Sequence, residues 1–155
     1  MAADIQARWD AALLDRSTDF AAAARSLRHL AERYNRSLDK DEQRRRLDEA
    51  QERLRVLSEE LRLVGSRRVQ VAARRVQHHA YAVRVEGEEG RDPRHDAYPD
   101  HTPVARLNDA LQEFYRSVRT QLRAPDPEGV IHDNDLDNIA SGLKPLTAPE
   151  RSTVA

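Results

Sequence analysis

The side chains in this sequence best equipped for chemistry are arginines. Arg62, Arg67, Arg68, Arg74, Arg75 and Arg84 fall in a run, residues 62 to 85, that contains no acidic residue. On a helix, seven-residue spacing sets Arg67 beside Arg74 and Arg68 beside Arg75 on adjoining strips, and His78 and Tyr81 continue the first strip. Rows of planar guanidinium groups grip phosphate or carboxylate oxygens two at a time. Arg67, Arg68, Arg74, Arg75 and His78 are therefore a candidate anion-binding ridge, for nucleic acid or for an acidic protein segment. The same pattern also describes an ordinary solvated helix face. An acidic stretch follows further on, with Asp126, Glu128, Asp133, Asp135 and Asp137 and no Lys or Arg from 124 to 143. Folded back against the ridge, it would mask it.

Other chemistries find less to work with. The chain has no Cys, which removes disulfides, thiolate metal sites and Cys nucleophiles together. Six histidines remain, and adjacent His78 and His79 project about 100° apart on a helix, so they do not share an ion without a third element. His95, Asp96, Asp100 and His101 cluster in one loop, but no HExxH or ExxH spacing accompanies them, and no metal is expected. Asp133-Asn134-Asp135-Leu136-Asp137 opens like a calcium loop, then fails at the sixth and twelfth positions, Asn138 and Lys144, where Gly and Glu are needed. There is no GxSxG, no P-loop and no glycine-rich phosphate cradle. A catalytic site and a bound cofactor are accordingly not expected.

The elements that must carry the ridge follow from apolar spacing. Leu13, Phe20, Leu27 and Tyr34 recur every seven residues, with Trp9, Ala23 and Leu30 interleaved, and no Gly or Pro occurs before Gly65; this predicts a first helix over about 3 to 35. Asp39 and Glu42 have the spacing of a capping box and predict the start of a second. Its seam is Leu47, Ala50, Leu54, Leu57, Leu61 and Val64, with Glu49 and Arg53 expected to pair at i,i+4. Gly65 is expected in the left-handed position that ends a helix, with Ser66 capping the next.

A third helix is predicted over about 67 to 86, with Val69, Ala72, Ala73, Val76, Ala80 and Val83 on one stripe, and then a loop from Gly87 to Asp100. Thr102-Pro103 starts a fourth helix reaching about 123, built on Val104, Leu107, Leu111, Phe114, Val118 and Leu122. His79 is expected to be a partly buried packing residue, and Tyr98-Pro99 to pin the long loop. Prolines 125, 127, 145 and 149 with Gly129 and Gly142 predict a mostly extended, largely disordered tail over 124 to 155. Within it, Ile131, Leu136, Ile139 and Leu143 are spaced for one short amphipathic helix.

Three pieces also resemble a group of small helical proteins from actinobacteria. They are Glu60-Leu61-Arg62-Leu63-Val64-Gly65-Ser66, then Asp92-Pro93-Arg94 with Tyr98-Pro99, and Glu113-Phe114-Tyr115-Arg116-Ser117-Val118-Arg119. The resemblance covers about residues 45 to 123. It implies a helical fold and transfers no catalytic residue.

Composition agrees with one domain: 155 residues, 34% charged, 39% apolar, formal net charge −1. That balance excludes a global basic field, and no stretch approaches the ~18 to 20 apolar residues of a membrane span. The first residues lack the apolar core of a secretory leader, so a cytoplasmic location is expected. The sequence thus predicts an all-α, antiparallel helical bundle or coiled-coil hairpin of about four helices over 1 to 123, followed by the acidic tail. Helices of about 30 residues overhang helices of about 20, and homodimerisation is the simplest way to cover the excess. The functional expectation is a non-enzymatic interaction or scaffold module that self-associates, with anion binding on the arginine ridge as the alternative.

Overall fold

A computed structural model describes residues 1 to 142. The chain forms an all-α bundle of four long helices, α1 (Ala2–Glu32), α2 (Lys40–Val64), α3 (Arg67–Glu89) and α4 (Pro103–Gln121), with a short α5 (Asp133–Ala140) laid outside them. Single 3-10 turns occupy Tyr34–Arg36 and His95–Ala97. The expected tail over 143 to 155, Leu143 included, lies outside the described residues.

α2, α3 and α4 each begin where the sequence supplies a side-chain acceptor. The Asp39 carboxylate accepts from the Glu42 amide, the Ser66 hydroxyl from the Val69 amide and the Thr102 hydroxyl from the Ala105 amide. Pro103 then occupies the first turn of α4, where its missing amide costs nothing. The reciprocal half of the capping box is absent, because the Glu42 carboxylate is taken by Arg45 and Arg46 instead.

Along the bundle, α1 pairs mainly with α2 and α3 mainly with α4, while α1 and α3 join the two pairs. α1 and α2 run antiparallel, so Arg16 meets Glu60 near one end and Gln43 donates to the Leu30 carbonyl near the other. The seam residues Leu13, Phe20, Leu27, Leu47, Leu54, Leu61, Val69, Val76, Leu107, Leu111 and Phe114 form one core. At its centre the Phe20 and Phe114 rings lie 4.8 Å apart at a tilt of 54°, an arrangement that suits the ring quadrupoles. Ala24 on α1 and Ala72, Ala73 and Ala80 on α3 are buried in the same core.

Several local expectations are corrected. Gly65 is not left-handed: its φ of −89° and ψ of 145° are extended. What requires glycine there is space, since a Cβ would stand 2.6 Å from the Leu61 carbonyl oxygen and 2.8 Å from a Val69 methyl. The left-handed cap is Gly90, with φ 72°, at the end of an α3 that runs three residues past its predicted stop. Gly87 therefore belongs to α3 rather than to the loop, and it sits where α3 crosses α1. Glu49 pairs with Arg45 and not with Arg53, which reaches across to Asp19 on α1. One expectation for the segment after residue 124 holds instead: the short helix spaced on Leu136 and Ile139 forms as α5, capped by His132, whose Nδ1 accepts from the Asn134 amide. None of the residues of α5 is buried.

Gly87 gives a test in which two physical effects have opposite signs. Helix propensity alone favours alanine by about 1 kcal/mol. Yet a Cβ at this position would lie 2.5 Å from the Ala31 carbonyl oxygen, backbone that cannot rotate away. Gly87→Ala should therefore destabilise the fold, by about 2 kcal/mol in urea unfolding, by forcing α1 and α3 apart; a stabilised variant would contradict the close crossing.

Candidate functional site

α3 presents the arginine ridge as two strips, and two of its four arginines are occupied by the protein itself. Arg68 donates to the Glu113 carboxylate on α4 at 2.9 and 3.2 Å, and to Glu128 of the acidic stretch at 3.0 and 3.4 Å. Those hydrogen bonds raise the Arg68 pKa, and the Arg68 bond lowers that of Glu113. Arg74 faces Glu59 on α2 at 3.6 Å, and Arg62 lies 3.2 Å from the same carboxylate. Arg84 donates to Asp48, Gln51 and Glu88. Among the described residues Arg67 and Arg75 alone of the six carry no side-chain hydrogen bond or salt bridge.

The acidic stretch reaches this ridge through Glu128, which pairs with Arg68. Asp133 instead pairs with Arg25 on α1 at 3.5 Å and His132 with Asp109 on α4 at 3.5 Å. Arg116 and Arg119 of α4 also donate to backbone carbonyls between 125 and 128. The segment thus lies across α4 toward α1, and it leaves α3 largely uncovered.

At the other end of α3 the structure brings together residues that the arginine count did not single out. Arg106, 4% exposed, makes a bidentate pair with Asp92 at 2.8 and 2.9 Å and also donates to the His101 carbonyl at 2.7 Å. The Asp92 carboxylate further accepts from the Arg94 amide. The Tyr98 ring lies 4.7 Å from the Arg106 guanidinium carbon, and the His79 ring packs edge-on against Tyr98 at 5.3 Å. Arg94 in turn lies over Tyr81 and donates to the His78 carbonyl. One buried arginine on α4 thereby gathers both ends of the 90 to 102 loop and fastens them to α3. The sequence signal that could have found it was Arg106 itself, a charge placed one residue before a seam leucine in a helix whose apolar face is otherwise regular.

This arrangement perturbs the nearby titrations. Hydrogen bonds from Arg106 pull the Asp92 carboxyl down to about 2, against burial. Burial, then the neighbouring charges of His78, Arg106, Arg94 and Arg75, pushes His79 down to about 4 and so favours neutral imidazole. Burial, followed by Arg94 and Arg106, also lowers His78, and burial with the nearby Asp92 charge raises Glu86. A shallow cavity of about 320 Å³ opens beside the cluster, lined by Arg75, His79, Tyr98, His101, Asp109 and Glu113 among others. No group of three or more His, Asp or Glu stands in position to hold a metal ion among the described residues. No helix there is long and apolar enough to cross a membrane.

A second surface lies at the start of α1. Ile5, Trp9, Leu13 and Ser17 follow one another at four-residue steps along the face that enters the core. Leu13 and Ser17 are buried, whereas Ile5 is 55% and Trp9 50% exposed, and every residue from 1 to 9 is exposed. The core-facing stripe thus runs on past the bundle. Arg123 at the end of α4 pairs with Asp10 at 2.9 Å, which marks where the cover stops. No family model, curated protein or solved structure matches the chain.

Removing one member of the buried pair leaves the other charge without compensation. Asp92→Asn should cost about 3 kcal/mol in chemical unfolding at neutral pH, with the 90 to 102 loop loosened first in hydrogen exchange. An aspartate free of partners titrates near 3.8, so the pair's contribution is complete above that value and erodes as pH falls toward about 2. The same variant should flatten the acid limb of the stability profile, and an unchanged limb would contradict the assignment.

Proposed function

We propose that this protein is a non-enzymatic helical interaction module that associates with itself through the uncovered stripe at the start of α1. The observation that carries the reading is the exposure of Ile5 and Trp9 on a helix face that is core further along. Apolar area of this kind is worth about 25 cal/mol per Å² when it leaves water, and a symmetric partner supplies the matching surface. Asp92 and Arg106, the most tightly held ionisable pair near the cavity, are spent on each other and fasten the loop to the bundle, which supports a structural role for that pair. A cytoplasmic setting is proposed with it, on the sequence alone.

The test is mass against concentration. Light scattering at tens to hundreds of micromolar should approach twice the 17.7 kDa chain mass, and Trp9→Gln should return it toward the monomer. A wild-type monomer at every concentration would refute self-association.

A second reading, anion binding on the ridge, draws support from the two ridge arginines that make no side-chain hydrogen bond or salt bridge among the described residues, Arg67 and Arg75. On that reading Arg67→Gln with Arg75→Gln abolishes retention on duplex DNA at low salt, since Arg68, Arg74 and Arg84 already carry carboxylates. No retention of the wild type at low salt removes this reading.

A further inference from the structure

We infer that the partner on the α1 stripe is a second copy of the same helix end, packed antiparallel, with Asp4 of each copy opposite Arg8 of the other. The inference rests on the self-association just proposed and adds its orientation and register. Ile5 and Trp9 are one turn apart and together make a stripe one residue wide. Asp4 and Arg8, also one turn apart, lie together on one flank of that stripe, and both are exposed. Neither has a side-chain hydrogen bond or salt bridge among the described residues.

Charge decides the orientation. In a parallel two-fold pair the Asp4 and Arg8 flank of one copy faces the Gln6 and Asp10 flank of the other, so Asp4 meets no side-chain cation and Arg8 meets only an Asp10 already held by Arg123. In an antiparallel pair with its two-fold axis at Gln6, each Asp4 meets an Arg8, and the symmetry makes two such pairs.

The same axis orders the apolar residues. At 1.5 Å of rise per residue, the side chains along the shared seam come in the sequence Trp9 of the second copy, Ile5, Ile5 of the second copy, Trp9, at steps of about 3 Å. The four interdigitate, and no two of them compete for one level. On the opposite flank Gln6, which donates to Asp10 within its own chain at 2.9 Å, meets an uncharged Gln6. Asp10 falls opposite Ala2, so its pairing with Arg123 is left intact. No like charges oppose one another in this register.

An interface of two turns per copy is short, which fits a reversible, concentration-dependent dimer rather than a permanent one. Asp4, Ile5, Arg8 and Trp9 are exposed in the single chain, so substitutions there leave the fold undisturbed, and circular dichroism checks that directly.

The experiment is a charge exchange read by light scattering. Asp4→Arg alone, and Arg8→Asp alone, each replace two attractive pairs by two repulsive ones and should weaken the homodimer about tenfold or more. Mixing the two variants should restore association at wild-type strength. In that heterodimer one chain carries two arginines on the flank and the other two aspartates, so both cross-pairs are attractive again. The double variant Asp4→Arg with Arg8→Asp should also dimerise like the wild type. A wild-type dimer that neither single substitution weakens, or a mixture that fails to associate, overturns the antiparallel register and leaves self-association standing. A wild type that never dimerises overturns both.

Discussion

α1 has 31 residues and α4 has 19, and at 1.5 Å per residue the difference is about 18 Å of helix. A helix continues its apolar stripe for as long as its sequence repeats, whether or not a neighbour covers it. In this bundle the cover ends where the end of α4 comes level with Asp10. Beyond it, Ile5 and Trp9 carry core chemistry in open water. The four-helix core itself is complete without those residues, since Phe20, Leu27, Leu54, Leu61, Leu111 and Phe114 are all buried. The exposed turns therefore add little to the stability of one chain and have apolar surface to offer another.

Charge is organised by the same principle of what is covered. Except for Arg67 and Arg75, the arginines on α2 and α3 pair with acids one turn away or on a neighbouring element, and exposed pairs of this type contribute little to stability. They keep the outer faces hydrated and mutually compatible. Arg106 is different, because it is buried, bidentate with Asp92, bonded to the His101 carbonyl and stacked on Tyr98. Its cost of desolvation is offset only if all those partners stay in place. That condition is what gives a loop rich in Gly, Pro and charge a single conformation against α3.

Much of this is legible in the sequence, and the parts that are not share a cause. Seven-residue spacing locates Leu13, Phe20, Leu27 and Tyr34, and all four are buried. Asp39, Ser66 and Thr102 announce helix starts because a cap is a local interaction between residues three apart. Gly87 misleads for the opposite reason: what it needs is set by the carbonyl oxygen of Ala31 on another helix. The arginine ridge is visible as a run without acids, but Glu59, Glu113 and Glu128 approach it from other elements, and no local reading places them there. Arg106 escapes notice because its partner Asp92 stands fourteen residues away in a loop without periodicity. The overhang is foreseeable from helix lengths alone, though only the geometry identifies which end of α1 stands clear.

The chain contains one tryptophan, so its intrinsic fluorescence reports on Trp9 with no other indole to confuse it. The most direct measurement is acrylamide quenching of that fluorescence across a range of protein concentrations. Covering of the α1 stripe by a second copy predicts that the quenching constant falls and the emission shifts to the blue as concentration rises. A quenching constant that stays high and an emission maximum that does not move, from low micromolar to near millimolar protein, would contradict it.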